Sequence, residues 1–413
     1  MHTAIRNLLG LGLRASALLL PACRPADVPV PGPVALSTRP LSGAERNTVA
    51  SANDFAFQAF EALRGQAPAD NLCTSPLSIS AALTMAYNGA SGSTKAGMKQ
   101  ALGFQPQTDT GINESFRSVF ALLGGLDPQV TFTAGNAIWY GQQFQLQAPF
   151  VQTNQQYFGA TVQTVNFASP TAETLINGWV NTHTRGKIPT IINNTTASDV
   201  LYLVNALYFK GRWTYRFDAQ NTRPAPFYLA NGTSITRDFM SLKTGRYHRY
   251  HDAQQLVIDL PYGNRRFSMT LVVPQGQSTL ASVAGRISRS QLATWLAAAD
   301  STGQELCLPR FRLEYEKMLN DALAQLGMGV AFSGQANFGR MLAGGSTGLA
   351  ISRVQHKTFL EVNEEGTEAA AATSVGIVKT SLPPALLVDR SFLFLVREKS
   401  TGTLLFIGQL TNP

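Results

Sequence analysis

The chain has 413 residues, 44% of them apolar and 14% charged, a balance that describes a buried globular core and excludes a disordered or fibrous protein. Its formal charge of +8 is spread thinly: the first 45 residues supply +2 (Arg6, Arg14, Arg24 and Arg39 against Asp27 and Glu45), and no basic stripe interleaved with aromatics follows. That pattern excludes nucleic acid as the expected partner.

Taken from its start, MHTAIRNLLGLGLRASALLLPAC places Arg6 ahead of a leucine-rich stretch that Arg14 interrupts, short of the roughly 20 apolar residues a spanning helix needs. Residues 1–22 therefore read as a signal peptide. Bulky Leu20 suits the small-residue cleavage rule poorly, and Leu20-Pro21-Ala22-Cys23 instead resembles a bacterial lipobox, which implies a lipid anchor on Cys23. Ordinary cleavage and a free secreted protein are the alternative. Residues 23–45, with closely spaced prolines, read as an extended spacer. Residues 46–413, with no internal repeat or second linker, read as one large domain. The expected protein is exported, as a periplasmic or cell-surface lipoprotein or in secreted form, and meets the membrane through its lipid anchor only.

Within that domain, Ser75-Pro76 is a helix-start signal, and Ile79, Ala82, Leu83 and Ala86 recur at helical spacing until Gly89. Thr94 to Leu102 predicts a second helix closed by Gly103. FTAGNAIWY, VLYLVNALYF, LVIDLPY, FSMTLVVP, LCLPRFRLEY, KTFLEVN, FLFLVRE and LLFIGQL are β-branched and aromatic runs of strand length. Helices dominate early and strands late, which predicts an α+β fold. Cys73 and Cys307 lie in apolar strand-like contexts and read as buried reduced thiols rather than a disulfide.

Catalytic signatures do not emerge. His2, His183, His248, His251 and His356 form no metal-ligand spacing, and Tyr247 to His251, with its His pair, reads as a polar turn or exposed strand. The sequence holds no GxSxG elbow, no GxxxxGK[ST] loop and no GxGxxG after a strand. No metal, no cofactor and no catalytic residue is expected, and the chain does not read as an enzyme.

The unusual segment is Asn363-Glu364-Glu365-Gly366-Thr367-Glu368-Ala369-Ala370-Ala371-Ala372-Thr373-Ser374-Val375-Gly376. Four alanines fit a helix or a flexible loop. Read with period two, however, one face carries Thr367, Ala369, Ala371, Thr373, Val375, Ile377 and Lys379, all small or apolar until the last. Such a segment can be exposed in one state and a half-buried strand in another, because nothing before Lys379 is costly to bury on that face.

Glu364 to Thr373 resembles the hinge signature of inhibitory serpins, and NLCTSPLSISAALTMAYNGASGST, FTAGNAIWY, WVNTHTRGKIPTII, LVNALYFKGRWTYRF, LPRFRLEY and FLFLVREKSTGTLLFIGQLTNP are similar to family segments in the family's order. The resemblance spans roughly residues 46 to 413. It implies three β-sheets, eight or nine helices and an exposed reactive loop that a protease attacks as bait. The cleaved loop then inserts as a strand in the central sheet and traps the acyl-enzyme. Counting along the loop as the family does implies a reactive bond between Thr380 and Ser381, suited to an elastase-like or subtilisin-like protease. Cleavage between Lys379 and Thr380, suited to a trypsin-like one, is the rival. Ser75, Ser78, Asn205 and His356 match the family's shutter, and Trp213 matches its tryptophan near the top of the sheet. Arg310 is expected to pair with Glu364 at the loop's base. The implied partner is a target endopeptidase of serine or also cysteine type, the implied state a monomer. A non-inhibitory member acting as a binding or chaperone-like protein is the alternative.

Overall fold

Helix starts are written locally. Ser42 caps the first helix, its side chain accepting from the Glu45 amide while Glu45 accepts from the Ser42 amide, a closed capping box. A computed structural model describes residues 39–344, 350–367 and 384–413, all within the compact unit Leu36–Pro413. In chain order α1 (Gly43–Gln66) leads through β1 (Leu72–Thr74) to α2 (Pro76–Gly89), α3 (Gly92–Ala101) and α4 (Asp109–Gly125). β2 (Val130–Gly141), α5 (Ala148–Phe158), β3 (Thr161–Val165), α6 (Thr171–His183) and β4 (Leu201–Arg212) follow. Then come β5 (Arg223–Tyr228), β6 (Ser234–Leu242), β7 (Tyr247–His251), β8 (Gln255–Tyr262) and β9 (Phe267–Pro274). After α7 (Leu280–Ala284) and α8 (Arg289–Ala297) lie β10 (Asp300–Thr302), β11 (Leu306–Pro309), β12 (Phe311–Met318) and α9 (Asn320–Leu323). The last strands are β13 (Gln355–Asn363), β14 (Gly366–Thr367), β15 (Leu386–Leu387), β16 (Phe392–Glu398) and β17 (Leu404–Leu410).

These strands form three sheets: β1-β17-β16-β9-β8-β7-β10, β15-β11-β6-β5 and β12-β13-β14-β4-β2-β3. In the seven-stranded sheet every residue of β8, β9, β16 and β17 is buried, which explains their near-continuous apolar runs. α2 packs between this sheet and the six-stranded one, touching β17 and β4. Its small Ser and Ala side chains let that approach happen.

β4 is buried on both faces. Leu201, Leu203, Leu207 and Phe209 join the main core, while Tyr202, Val204 and Ala206 pack with Ala172, Ile176 and Val180 of α6 in a second cluster. β13 alternates instead, with His356, Thr358, Leu360 and Val362 buried and their neighbours half-buried.

The α+β expectation holds, with three sheets and nine α-helices among the described residues. Three expectations need correction. The stretch 23–45, read as spacer, ends in folded structure: the capping box starts α1 at Gly43, and Arg39 pairs with Glu45. LCLPRFRLEY is two strands in two sheets, because the chain turns at Arg310 between β11 and β12. Cys73 is a buried free thiol whose burial pushes its pKa up to about 12, whereas the free thiol of Cys307 is only half-buried, at the face of the four-stranded sheet.

Candidate functional site

Glu364, Glu365, Gly366 and Thr367 of the predicted hinge are described; Glu368, Ala369, Ala370, Ala371 and Ala372 lie outside the described residues, as do Lys379, Thr380, Ser381 and Cys23. The described part is seated in the six-stranded sheet. Gly366 and Thr367 form β14, antiparallel to both neighbours, with Thr367 opposite Val362 on one side and Gly211 on the other. Gly366 sits at φ 150°, and a Cβ there would lie 2.0 Å from the Gly211 carbonyl oxygen. Glycine is therefore required where the two backbones touch.

Thr367 is buried, and its hydroxyl hydrogen-bonds the Tyr262 hydroxyl at 2.7 Å. Burial pushes the Tyr262 pKa up, so the phenol stays neutral. Tyr262 stacks on Trp213 with ring centroids 4.3 Å apart. The Trp213 indole N–H donates to the Asn363 carbonyl at 2.9 Å, and its backbone N–H donates to the Glu365 carbonyl at 2.8 Å. Trp213 thus holds the turn that leads into β14. The sequence reading singled out Trp213 from this group, while Tyr262 and Gly211 escaped it.

The expected pair of Arg310 and Glu364 is present. Arg310 donates to the carboxylate from Nε at 2.7 Å and lies 2.5 Å away through Nη2, and the Thr222 hydroxyl donates to it at 2.5 Å. Burial opposes the charge on Glu364, but these donors outweigh it and hold the carboxyl below its usual range. Arg310 is the residue at which the chain passes from the four-stranded to the six-stranded sheet. Its side chain therefore ties the corner of the molecule to the base of the loop.

Lower in the sheet lie the residues expected to form a shutter. The Ser75 amide donates to His356 Nε2 at 3.1 Å, so the imidazole is neutral with its proton on Nδ1. Burial pushes the His356 pKa down to about 4. Asn205 donates to the Asn136 side chain at 2.5 Å, and Asn136 donates to the Phe158 carbonyl at 2.8 Å. The Thr358 hydroxyl donates to the Cys73 carbonyl at 2.7 Å. Ser78 is buried in the first turn of α2. Asn136 and Thr358 join this polar network without having been singled out in the sequence, since no local pattern marks them.

Among the described residues no ladder joins β4 to β13 directly. β14 separates them at the top, and Tyr202 bridges Arg353 in parallel at the bottom. One parallel register satisfies both ends, with Tyr202 level with Arg353 and Gly211 level with Val362 through Thr367. It puts Asn205 level with His356. At that level the side-chain oxygens of Ser75 and Asn205 are buried without a hydrogen-bond partner among the described residues.

Comparisons agree with this arrangement. The family model described as serpin (serine protease inhibitor) matches residues 50–413. The leukocyte elastase inhibitor of Bos taurus is 34% identical over 372 residues, covering 87% of this chain and 97% of the relative. Corticosteroid-binding globulin of Pongo abelii is 32% identical, covering 88% and 90%. The crystal structure of human thyroxine-binding globulin with thyroxine superposes with a TM-score of 0.83 at 27% identity, covering 90% of this chain and 99% of that one.

Proposed function

Because the chain belongs to the serpin family, we propose that it inhibits endopeptidases as a suicide substrate whose loop, once cleaved, inserts between β13 and β4. One observation carries the reading: Thr367 is already seated between those strands, in the antiparallel register an inserting strand needs. Continuing that register levels Ala369 with Phe209 and Leu360, Ala371 with Leu207 and Thr358, and Thr373 with Asn205 and His356. All face the core side, as Thr367 does. Small side chains fit there at little desolvation cost, and a threonine hydroxyl at the third level would meet the unsatisfied oxygens of Ser75 and Asn205.

The reading assigns the reactive bond to Thr380-Ser381, with an elastase-like or subtilisin-like target. It also assigns export to residues 1–22, a spacer to the following segment and a lipid anchor to Cys23. Likeness to two proteins named as binding globulins supports a second reading, a carrier that does not inhibit.

Incubation with elastase, subtilisin and trypsin, followed by denaturing electrophoresis, separates the two. A covalent band supports inhibition; clean cleavage with no such band sinks it. The mass of the released C-terminal fragment locates the bond, and a fragment starting at Thr380 would move it to Lys379.

A further inference from the structure

The seat of Thr367 is held from outside its own sheet. β14 has two residues, so its backbone ladder is shorter than that of an ordinary strand. Thr367 supplies its one side chain beyond glycine, and the hydroxyl meets Tyr262, the last residue of β8 in the seven-stranded sheet. Thr367 is 2% exposed and Tyr262 fully buried. Among the described residues neither hydroxyl has a second hydrogen-bond partner.

Tyr262 is fixed independently of the hinge. The Thr214 N–H donates to the Pro261 carbonyl at 2.9 Å and the Gly263 N–H to the Arg212 carbonyl at 2.7 Å, which pins the backbone on either side of the tyrosine. Its ring lies 8° from the plane of Trp213 and meets Phe209 edge-on with centroids 5.4 Å apart. A Cβ on Gly211 would come within 2.9 Å of its Cδ1, so the bare glycine backbone closes the remaining side. Such packing holds the phenol oxygen at one position.

The energetics follow from that rigidity. If the hinge withdrew, the Thr367 hydroxyl would reach water, whereas the phenol would stay behind in its aromatic cage without a partner among the described residues. A buried hydroxyl left unmatched is costly, while replacing both members of a pair by apolar groups of similar shape is nearly neutral. The pair therefore favours the seated hinge over the withdrawn one.

We propose that Tyr262 is a positioning residue whose hydroxyl holds Thr367 in the slot between β13 and β4, so that insertion of the cleaved loop starts from a rung already formed. The hold is a property of the resting protein, and its effect on inhibition rests on the inhibitor reading. In that reading insertion competes with hydrolysis of the acyl-enzyme. A hinge that must first find the slot gives hydrolysis more time, and more inhibitor is spent as substrate.

The test uses the full chain with Tyr262→Phe, which keeps the ring and its stack on Trp213, with Thr367→Val, which keeps the shape of the threonine, and with both together. Hydrogen exchange of the intact proteins, read by mass spectrometry on peptides containing Gly366 and Thr367, should speed up about tenfold in each single variant and return to within about threefold of the unaltered protein in the double variant. The stoichiometry of inhibition, measured with whichever of elastase, subtilisin or trypsin forms the covalent band, should follow the same order, raised about threefold or more in the single variants and restored in the double. A merely structural loss would quicken exchange across β8 and β9 as well, and a second substitution would not repair it. Unchanged exchange at Gly366 and Thr367 in the single variants, or a double variant no better than either, overturns the positioning role. Thr367→Val probes the bond from its other side even if Tyr262→Phe does not fold. Absence of any covalent complex from the unaltered protein would overturn the inhibitor reading instead, while the exchange result still decides whether Tyr262 holds the hinge.

Discussion

His356 sits at a level where the proposed insertion would part the sheet, and its neutrality has a measurable consequence. Its native pKa of about 4 lies below the ordinary value of 6.5, so between those limits the unfolded chain binds more protons than the native one. Stability contributed by this group is present above pH 6.5 and is lost as pH falls toward 4, by about 3 kcal/mol in all. Urea unfolding across that window should show the slope, and His356→Asn should flatten it; an equal slope in both proteins would mean that other groups carry it. Sequence made His356 visible as a member of a polar cluster. It could not show Asn136, because the pairing of Asn205 with Asn136 follows from the register of β2 on β4, two strands separated by α5, β3 and α6. Thr373 is the residue-scale test of the inserted register. Thr373→Val keeps the shape and removes the hydroxyl, so the cleaved form should lose about 1–3 kcal/mol of stability while the intact protein is unchanged, as compared by urea unfolding of each.

Among the elements, β14 is the informative one, since two residues report the register that the proposed inserted strand would continue. Ala371→Arg would set a guanidinium beside Leu207 and Thr358, where desolvating a charge costs several kcal/mol. Gel densitometry after incubation with elastase should then show cleaved monomer replacing covalent complex by more than tenfold; an undiminished complex band would exclude this register. β8, β9, β16 and β17 of the seven-stranded sheet were legible almost to the residue, because burial on both faces leaves an apolar run with abrupt polar ends, whereas the partly exposed edge strands β7 and β10 carry no such run. LCLPRFRLEY was not legible as two elements. β11 is a short apolar run and β12 alternates buried with exposed residues, but only Arg310 separates them, and its partners Asp238 and Glu364 are remote in sequence. The start of α1 could have been read from Ser42 and Glu45, but the prolines before them dominated the segment's composition.

For the molecule as a whole, the proposed insertion adds a strand to the middle of a sheet. Cleavage in the loop should therefore raise the midpoint of thermal unfolding by at least about 10 °C, given roughly 2 °C per kcal/mol at this size. Scanning calorimetry on intact and cleaved protein measures the shift, and equal midpoints would argue that the cleaved loop stays out. The seven-stranded sheet carries a different consequence. β17, the last strand in the chain, pairs with β1 from near its beginning and with β16, so it lies inside the sheet rather than at an edge. During synthesis from the N-terminus the sheet therefore lacks an interior strand until residues 404–410 have left the ribosome. Early helices can form and collapse, yet the core cannot close around them. Closure of the sheet thus depends on a pairing between residues 72–74 and 407–409, a non-local contact of the kind that slows folding.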